Sequence, residues 1–177
     1  MDFFETVAKR GSYRGEFTDA PVPEADIERI LTAGLRAPSG YNRQTTSFVA
    51  VTDGALRKAI AALLDSPAAR TAPVMLVPLS SYWEAPNGLS FETEDYACAT
   101  ENVMLAITAA GYAGVWMDGR MKLDGNAERV AALLHVPAGM RVRAVIPFGV
   151  PKNAVTQKEK QPYAARVYRD TCDGARG

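Results

Sequence analysis

Val103-Met104-Leu105-Ala106-Ile107-Thr108-Ala109-Ala110-Gly111-Tyr112-Ala113-Gly114-Val115-Trp116-Met117 contains no charged residue. It is the longest apolar stretch in the chain, and it falls short of the ~20 residues a bilayer span requires. The helical pattern that leads into it starts at Thr93, so the spacing predicts a long helix over 93–111. A helix with no charged face must be covered on every side. Two arrangements do that: a second subunit packed on one face, favoured because so small a domain has little material to spare, or the middle of a monomer core.

The flanking sequence supplies helices and a few strands. Phe3 to Lys9 reads as a short helix with Phe3, Phe4, Val7 and Ala8 on one side, closed by Gly11 as a C′ glycine. Glu24 to Arg36 places Ile27, Ile30, Leu31 and Leu35 at helical spacing. Ala55 to Leu64 and Asn126 to Leu134 are further helices. Ser47–Thr52, Pro73–Leu79 and Arg141–Gly149 read as strands, and Val115–Met117 as the start of another. Ser80 to Glu92 reads as a loop, and the polar segment from Val150 onward as a tail that docks on something. The interleaving of helices with few strands indicates an α/β or α+β class.

The chain has 177 residues, with 20 Lys and Arg against 20 Asp and Glu. That length fits one domain, 1–177, with 152–177 as its docking tail. The zero net charge argues against a nucleic-acid binder, which needs a basic surplus. Cys98 and Cys172 form no CxxC pair, which fits a reducing compartment. His135 is the only histidine, so no zinc ligand set and no histidine triad is recognisable. The opening residues lack the pattern of a secretory signal. The expectation is a cytoplasmic protein without a membrane span.

Three segments carry polar groups without an obvious structural task. Arg10-Gly11-Ser12-Tyr13-Arg14 sets two guanidiniums around a hydroxyl, a combination suited to phosphate, although a solvated turn has the same composition. Ala37-Pro38-Ser39-Gly40-Tyr41-Asn42-Arg43-Gln44 offers paired donors and acceptors for the edge of a heterocycle, or a plain connector. Gly114-Val115-Trp116-Met117-Asp118-Gly119 places an aromatic beside backbone that can approach a flat ligand, or a core tryptophan at a strand start. No Walker A sequence and no G-x-G-x-x-G after a strand is present. Cys98, in an Ala-rich helix without a cation beside it, reads as core rather than nucleophile.

In this order and spacing the segments resemble the FMN-dependent nitroreductase family. Arg10, Ser12 and Arg14 match its opening Arg-x-Ser-x-Arg/Lys motif. Ala37-Pro38-Ser39, Asn42 and Gln44 match its Ala-Pro-Ser-x-x-Asn-x-Gln. Asp95 and Asn102 fit its central helix, Gly111-Tyr112-Ala113-Gly114 the end of that helix, and Gly149-Val150-Pro151 a Gly-x-Pro after the last strand. Lys158 and Lys160 fit the spaced cations of its tail. The likeness spans nearly the whole chain.

The resemblance implies an α+β fold with a central antiparallel-rich sheet flanked by helices, the long buried helix at a homodimer interface, and FMN at the subunit boundary. Arg10, Ser12, Lys158 and Lys160 would hold the FMN phosphate, with Gly11 among the cofactor-binding residues. Arg14 would face the pyrimidine side of the ring. Pro38, Ser39, Gly40 and Asn42 would come from the other subunit, and Trp116, Asp118 and Gly119 would flank the ring edge. NADH or NADPH would be the hydride donor and a nitroaromatic, quinone or activated alkene the acceptor, in alternation at one site. No side chain would act as a catalytic nucleophile and no metal would be needed, because the flavin carries the chemistry. By composition, Ser80 to Ser90, with Tyr82, Trp83, Pro86 and Gly88, is a candidate for shaping substrate access or, equally, a plain connector. Thr45-Thr46 depart from the Pro-Trp the family usually has there, and Trp116 is the aromatic that would line the pocket instead. A specialised flavoprotein of the same fold, flavin-consuming or dehalogenating, and a flavin-binding protein without turnover are the alternatives.

Overall fold

A computed structural model of the chain describes residues 1–172. Six helices are present among them: α1 (Phe3–Lys9), α2 (Glu24–Leu35), α3 (Gly54–Leu64), α4 (Pro67–Thr71), α5 (Glu92–Ala109) and α6 (Asn126–Leu133). The strands are β1 (Thr46–Val51), β2 (Val74–Ser81), β3 (Ala113–Gly114), β4 (Met140–Val142) and β5 (Ile146–Gly149). They form one sheet in the order β1-β2-β5-β3, with β4 also on β2, and every pairing is antiparallel. The α+β expectation with an antiparallel sheet therefore holds.

β2 explains the layering. Its residues alternate, so Val74 and Leu76 join Ile27 and Ile30 of α2 and Val103 and Ile107 of α5. Met75, Val77 and Leu79 point the other way, into a core with Ile60 and Leu64 of α3 and Val130 of α6. Side chains two apart share a face of a strand, so an apolar run fills both layers at once. The expected single strand over 141–149 is broken in two. Leu79 faces Val142 and Leu76 faces Ile146, so residues 143–145 oppose only 77 and 78. This is a bulge, and it falls at Pro78, which has no N–H to give the ladder but accepts from Arg143 N at 2.9 Å.

The long apolar stretch is shorter as a helix than its composition suggests. α5 ends at Ala109, and Gly111 takes φ +87, a conformation that favours glycine. Tyr112 then turns back, its hydroxyl donating to Asp26 of α2 at 2.7 Å. Burial, followed by that bond, pushes the Tyr112 phenol up to about 12. The remainder of the stretch becomes β3, so the expected strand start at Val115–Met117 lies two residues earlier. Met117 makes only an isolated bridge to Val145. The α5 surface is not sealed all round in one subunit: Leu105 and Ala106 are half-buried and Ala109 is exposed.

Three further expectations change. Cys98 of α5, read as core, is exposed. Phe3, Phe4 and Val7 do share a side of α1, but within one subunit they are exposed, Phe4 at 81%. Gly11 does not adopt the left-handed C′ conformation. The cap is Arg10, whose N–H donates to Thr6 O. Gly11 is required for space, because a Cβ there would lie 2.9 Å from the Thr156 carbonyl oxygen.

Candidate functional site

The first and third segments are joined. Tyr13 N donates to Gly114 O at 2.9 Å, and Ser12 bridges Gly114 in parallel register. The chain continues along the sheet end, where Thr18 N donates to Val150 O and Lys152 N to Glu16 O. Residues 12–18 therefore behave as an added edge, and β3 is the rail that fixes them. The zipper brings Arg14 to a cleft of about 360 Å³ that it shares with Ser66, Trp116, Asp118, Gly119 and Arg120.

Trp116 packs edge-on against Tyr96 of α5, and its Nε1 is buried without a hydrogen-bond partner among the described residues. A buried indole N–H normally finds an acceptor, so an orphan at a cleft wall is a place for a ligand atom. Asp118 accepts from Lys122 Nζ at 3.0 Å, and that bond holds the Lys122 ammonium above its usual range.

Arg10 lies on the other side of the zipper. Its Nε is 3.4 Å from Glu101 Oε1 of α5, an ion pair without hydrogen-bond geometry, and Nε is otherwise buried and unpartnered among the described residues. Its carbonyl accepts from Gln157 Nε2 at 2.8 Å, and the same amide donates to Val7 O. Gln157 thereby brings the start of the tail to the end of α1. Lys158 and Lys160 follow directly and are exposed, as are residues 158–172 throughout; residues 173–177 of the expected tail lie outside the described residues. Ser12 is exposed and Gly11 is buried under the tail.

The second segment stands apart. Pro38 and Ser39 line a separate cavity of about 160 Å³ with Gly34, Gln44, Thr46 and Asp95. Gly40–Asn42 is a single 3-10 turn. Tyr41 extends from it to Trp83 (ring centroids 5.5 Å apart), and the Arg43 guanidinium sits 4.5 Å over the Trp83 ring. The loop around Trp83 thus folds onto the second segment. Within the chain, segments one and three border one cleft and segment two another.

Sequence reasoning did not single out Glu101 or Gln157 as partners in these networks. Glu101 precedes Asn102, whose Nδ2 donates to Ala33 O at 3.1 Å. Only the neighbouring position was visible as a motif, since the contact from residue 101 to residue 10 has no local spacing. Gln157 was one residue from the cations that drew attention.

The orphaned Arg10 Nε and Trp116 Nε1, with Arg14 at the cleft, are donors suited to a ligand with an anionic end and a flat polar ring. The sequence profile of the Nitroreductase family matches residues 7–67 and 59–150. An NADPH-flavin oxidoreductase of Vibrio harveyi is 28% identical over 178 residues, covering 94% of this chain and 72% of that protein. The crystal structure of the Vibrio harveyi NADPH:FMN oxidoreductase complexed with NAD+ superposes with a TM-score of 0.82 at 25% identity, over 95% of this chain and 76% of that one. A nitroreductase family protein from Clostridium novyi NT gives a TM-score of 0.76 at 27% identity, over 86% and 87% of the two chains.

Proposed function

Because the chain belongs to the nitroreductase family, we propose that it is an NAD(P)H-dependent oxidoreductase that binds FMN and passes hydride to a small electron-poor acceptor. A nitroaromatic, a quinone or an activated alkene has the required chemistry. The observation that carries the reading is the Tyr13–Gly114 zipper, which sets Arg14, Trp116, Asp118 and Gly119 around one cleft while Arg10 keeps an unpartnered buried Nε. When bound, the flavin supplies reversible hydride acceptance and donation.

The chain's own groups bind and tune. Arg10 holds the phosphate, with Ser12 as a hydroxyl donor and Lys158 and Lys160 adding positive field. Arg14 contributes an exposed cation at the cleft, which stabilises negative charge developing there on reduction. Trp116 closes the wall and its N–H is free to donate. Gly119 keeps the backbone accessible, since nothing lies within 4 Å of where its Cβ would be. Donor and acceptor share the cleft in turn, so double-reciprocal plots at several acceptor concentrations are expected to be parallel.

A second copy of the chain completes the site in this reading. It covers Phe3, Phe4 and Val7, gives the exposed tail a surface, and brings its own Pro38, Ser39, Gly40 and Asn42 to the first copy's cleft. Light scattering is expected to give twice the chain mass of 19.1 kDa. A monomer that binds FMN with full affinity contradicts the shared site.

Freshly purified protein is expected to show flavin absorbance that NADH or NADPH bleaches anaerobically and that menadione or a nitrofuran restores. Protein that remains colourless in excess FMN defeats the reading. Bound flavin that neither nucleotide bleaches removes the reductase activity and leaves only binding.

A further inference from the structure

The loop from Pro38 to Thr45 has a shape that its own residues do not favour. Tyr41, Asn42 and Gln44 have φ of 52°, 52° and 51°. That region crowds a Cβ and is strained for most residues other than glycine. Asn42 tolerates that region, but Tyr41 and Gln44 do not, and two such residues so close together persist only where the surroundings over-determine them.

The surroundings converge on one carboxylate. Asp95, in the first turn of α5, is 4% exposed. Its Oδ1 accepts from Gly40 N at 2.8 Å and its Oδ2 accepts from Thr45 Oγ1 at 2.6 Å. The two oxygens grip the loop on both sides of the strained residues. Weaker supports complete the frame: Gln44 N donates to Ser39 Oγ at 3.0 Å, and Ser81 N of β2 donates to Thr45 O at 2.9 Å. Phe91 presses so closely on Gly40 that a Cβ would lie 2.6 Å from it.

We propose that Asp95 is a positioning residue for the flavin-binding loop and that Thr45 is the partner through which it acts. The pair holds Pro38, Ser39, Gly40 and Asn42 in their binding geometry before any cofactor arrives. A loop ordered in advance loses little entropy on binding, and affinity rises accordingly. The departure at 45 then has a physical function. A proline there would fix its own φ covalently but could not donate to a carboxylate. Thr45 replaces that local stiffness with a tether to the central helix. This inference rests on the flavin reading, and its test separates the two.

The test compares Thr45→Val, which keeps the shape and removes the hydroxyl, with Thr45→Ser, which restores it. Backbone hydrogen exchange is read on the protein without cofactor, and FMN affinity by fluorescence titration. Thr45→Val is expected to speed exchange at residues 40–45 and to weaken FMN binding, each by about tenfold, the scale of one buried hydrogen bond to a charged group. Thr45→Ser is expected to return both to the wild-type values. A merely structural role would spread faster exchange across α5 and β1, and it would leave FMN affinity unchanged wherever the fold survives. Unchanged exchange at 40–45 in Thr45→Val overturns the proposal, and so does faster exchange with unaltered FMN affinity. A wild-type chain that binds no FMN overturns the flavin reading itself, an outcome told apart from the others because the exchange contrast is measured without cofactor.

Discussion

Replacing Arg10 by alanine is expected to weaken FMN binding by about 2–4 kcal/mol, the scale for removing one partner of a largely buried charged pair. The side chain is 24% exposed, so its charge interacts under reduced solvent screening. A guanidinium offers five donors in a fixed fork. Glu101 lies 3.4 Å from Nε without forming a hydrogen bond, and that nitrogen has no hydrogen-bond partner. Gln157 engages only the Arg10 carbonyl, so the backbone is tethered while the guanidinium keeps donors for an anion. Alanine removes those donors and leaves Glu101 as an unneutralised carboxylate beside the incoming phosphate. Both effects act in the same direction. The measurement is a fluorescence titration of the apo protein with FMN, supported by flavin content after gel filtration. A variant that emerges with its full complement of flavin would place the phosphate elsewhere.

The parts of this fold that were legible are those in which one element's residues repeat on its own axis. Ile27 and Ile30 fall on one face of α2 because residues three apart are neighbours on a helix, and both are buried. The apolar run of β2 is long enough to exclude a loop. α4 was not legible, since five residues make little more than one turn and show no period; the available cue was Pro67 at its first position after Ser66. The break between β4 and β5 depends on Pro78, more than sixty residues earlier, and no window along 140–149 contains it. α1 shows the limit from the other side. Its pattern groups Phe3, Phe4 and Val7 correctly, yet periodicity says which residues share a face and not what covers that face.

The candidate site divides in the same way. Arg10, Ser12, Arg14, Trp116, Asp118 and Gly119 were readable as residue types, because phosphate and flat rings need those donors. Their assembly through Tyr13 and Gly114 was not, since a backbone hydrogen bond leaves no trace in side-chain composition. Gly11 was misread for a related reason: a glycine after a helix fits a C′ cap, and only the tail lying 2.9 Å from its missing Cβ reveals the other cause. Thr45 was visible as a departure and Asp95 as a motif position, while the bond that joins them across fifty residues was not.

Phe148→Ala is expected to cost about 3–5 kcal/mol of folding stability, the range for truncating a fully buried aromatic. The side chain is 0% exposed and packs among Val74, Leu76, Val103 and Ile107, with Tyr112 edge-on at 5.9 Å. Truncation removes apolar surface from the core and leaves a cavity that the surrounding strands cannot close. β5 pairs with β2 on one side and β3 on the other, so its register cannot shift to fill the space without breaking one of them. The damage extends toward the cleft. Phe148 faces Gly114 across the β3–β5 pair, and the Gly114 carbonyl is the acceptor that holds Tyr13. A folded Phe148→Ala protein should therefore also bind FMN more weakly, although residue 148 does not line the cleft. Urea denaturation followed by circular dichroism measures the first effect, and fluorescence titration below the transition measures the second. A stability loss under about 1 kcal/mol would mean that the site collapses around the smaller side chain. Unaltered FMN affinity in a clearly destabilised variant would mean that the Arg10–Arg14 segment keeps its place without the β5 packing, and that the zipper is not what positions the cleft.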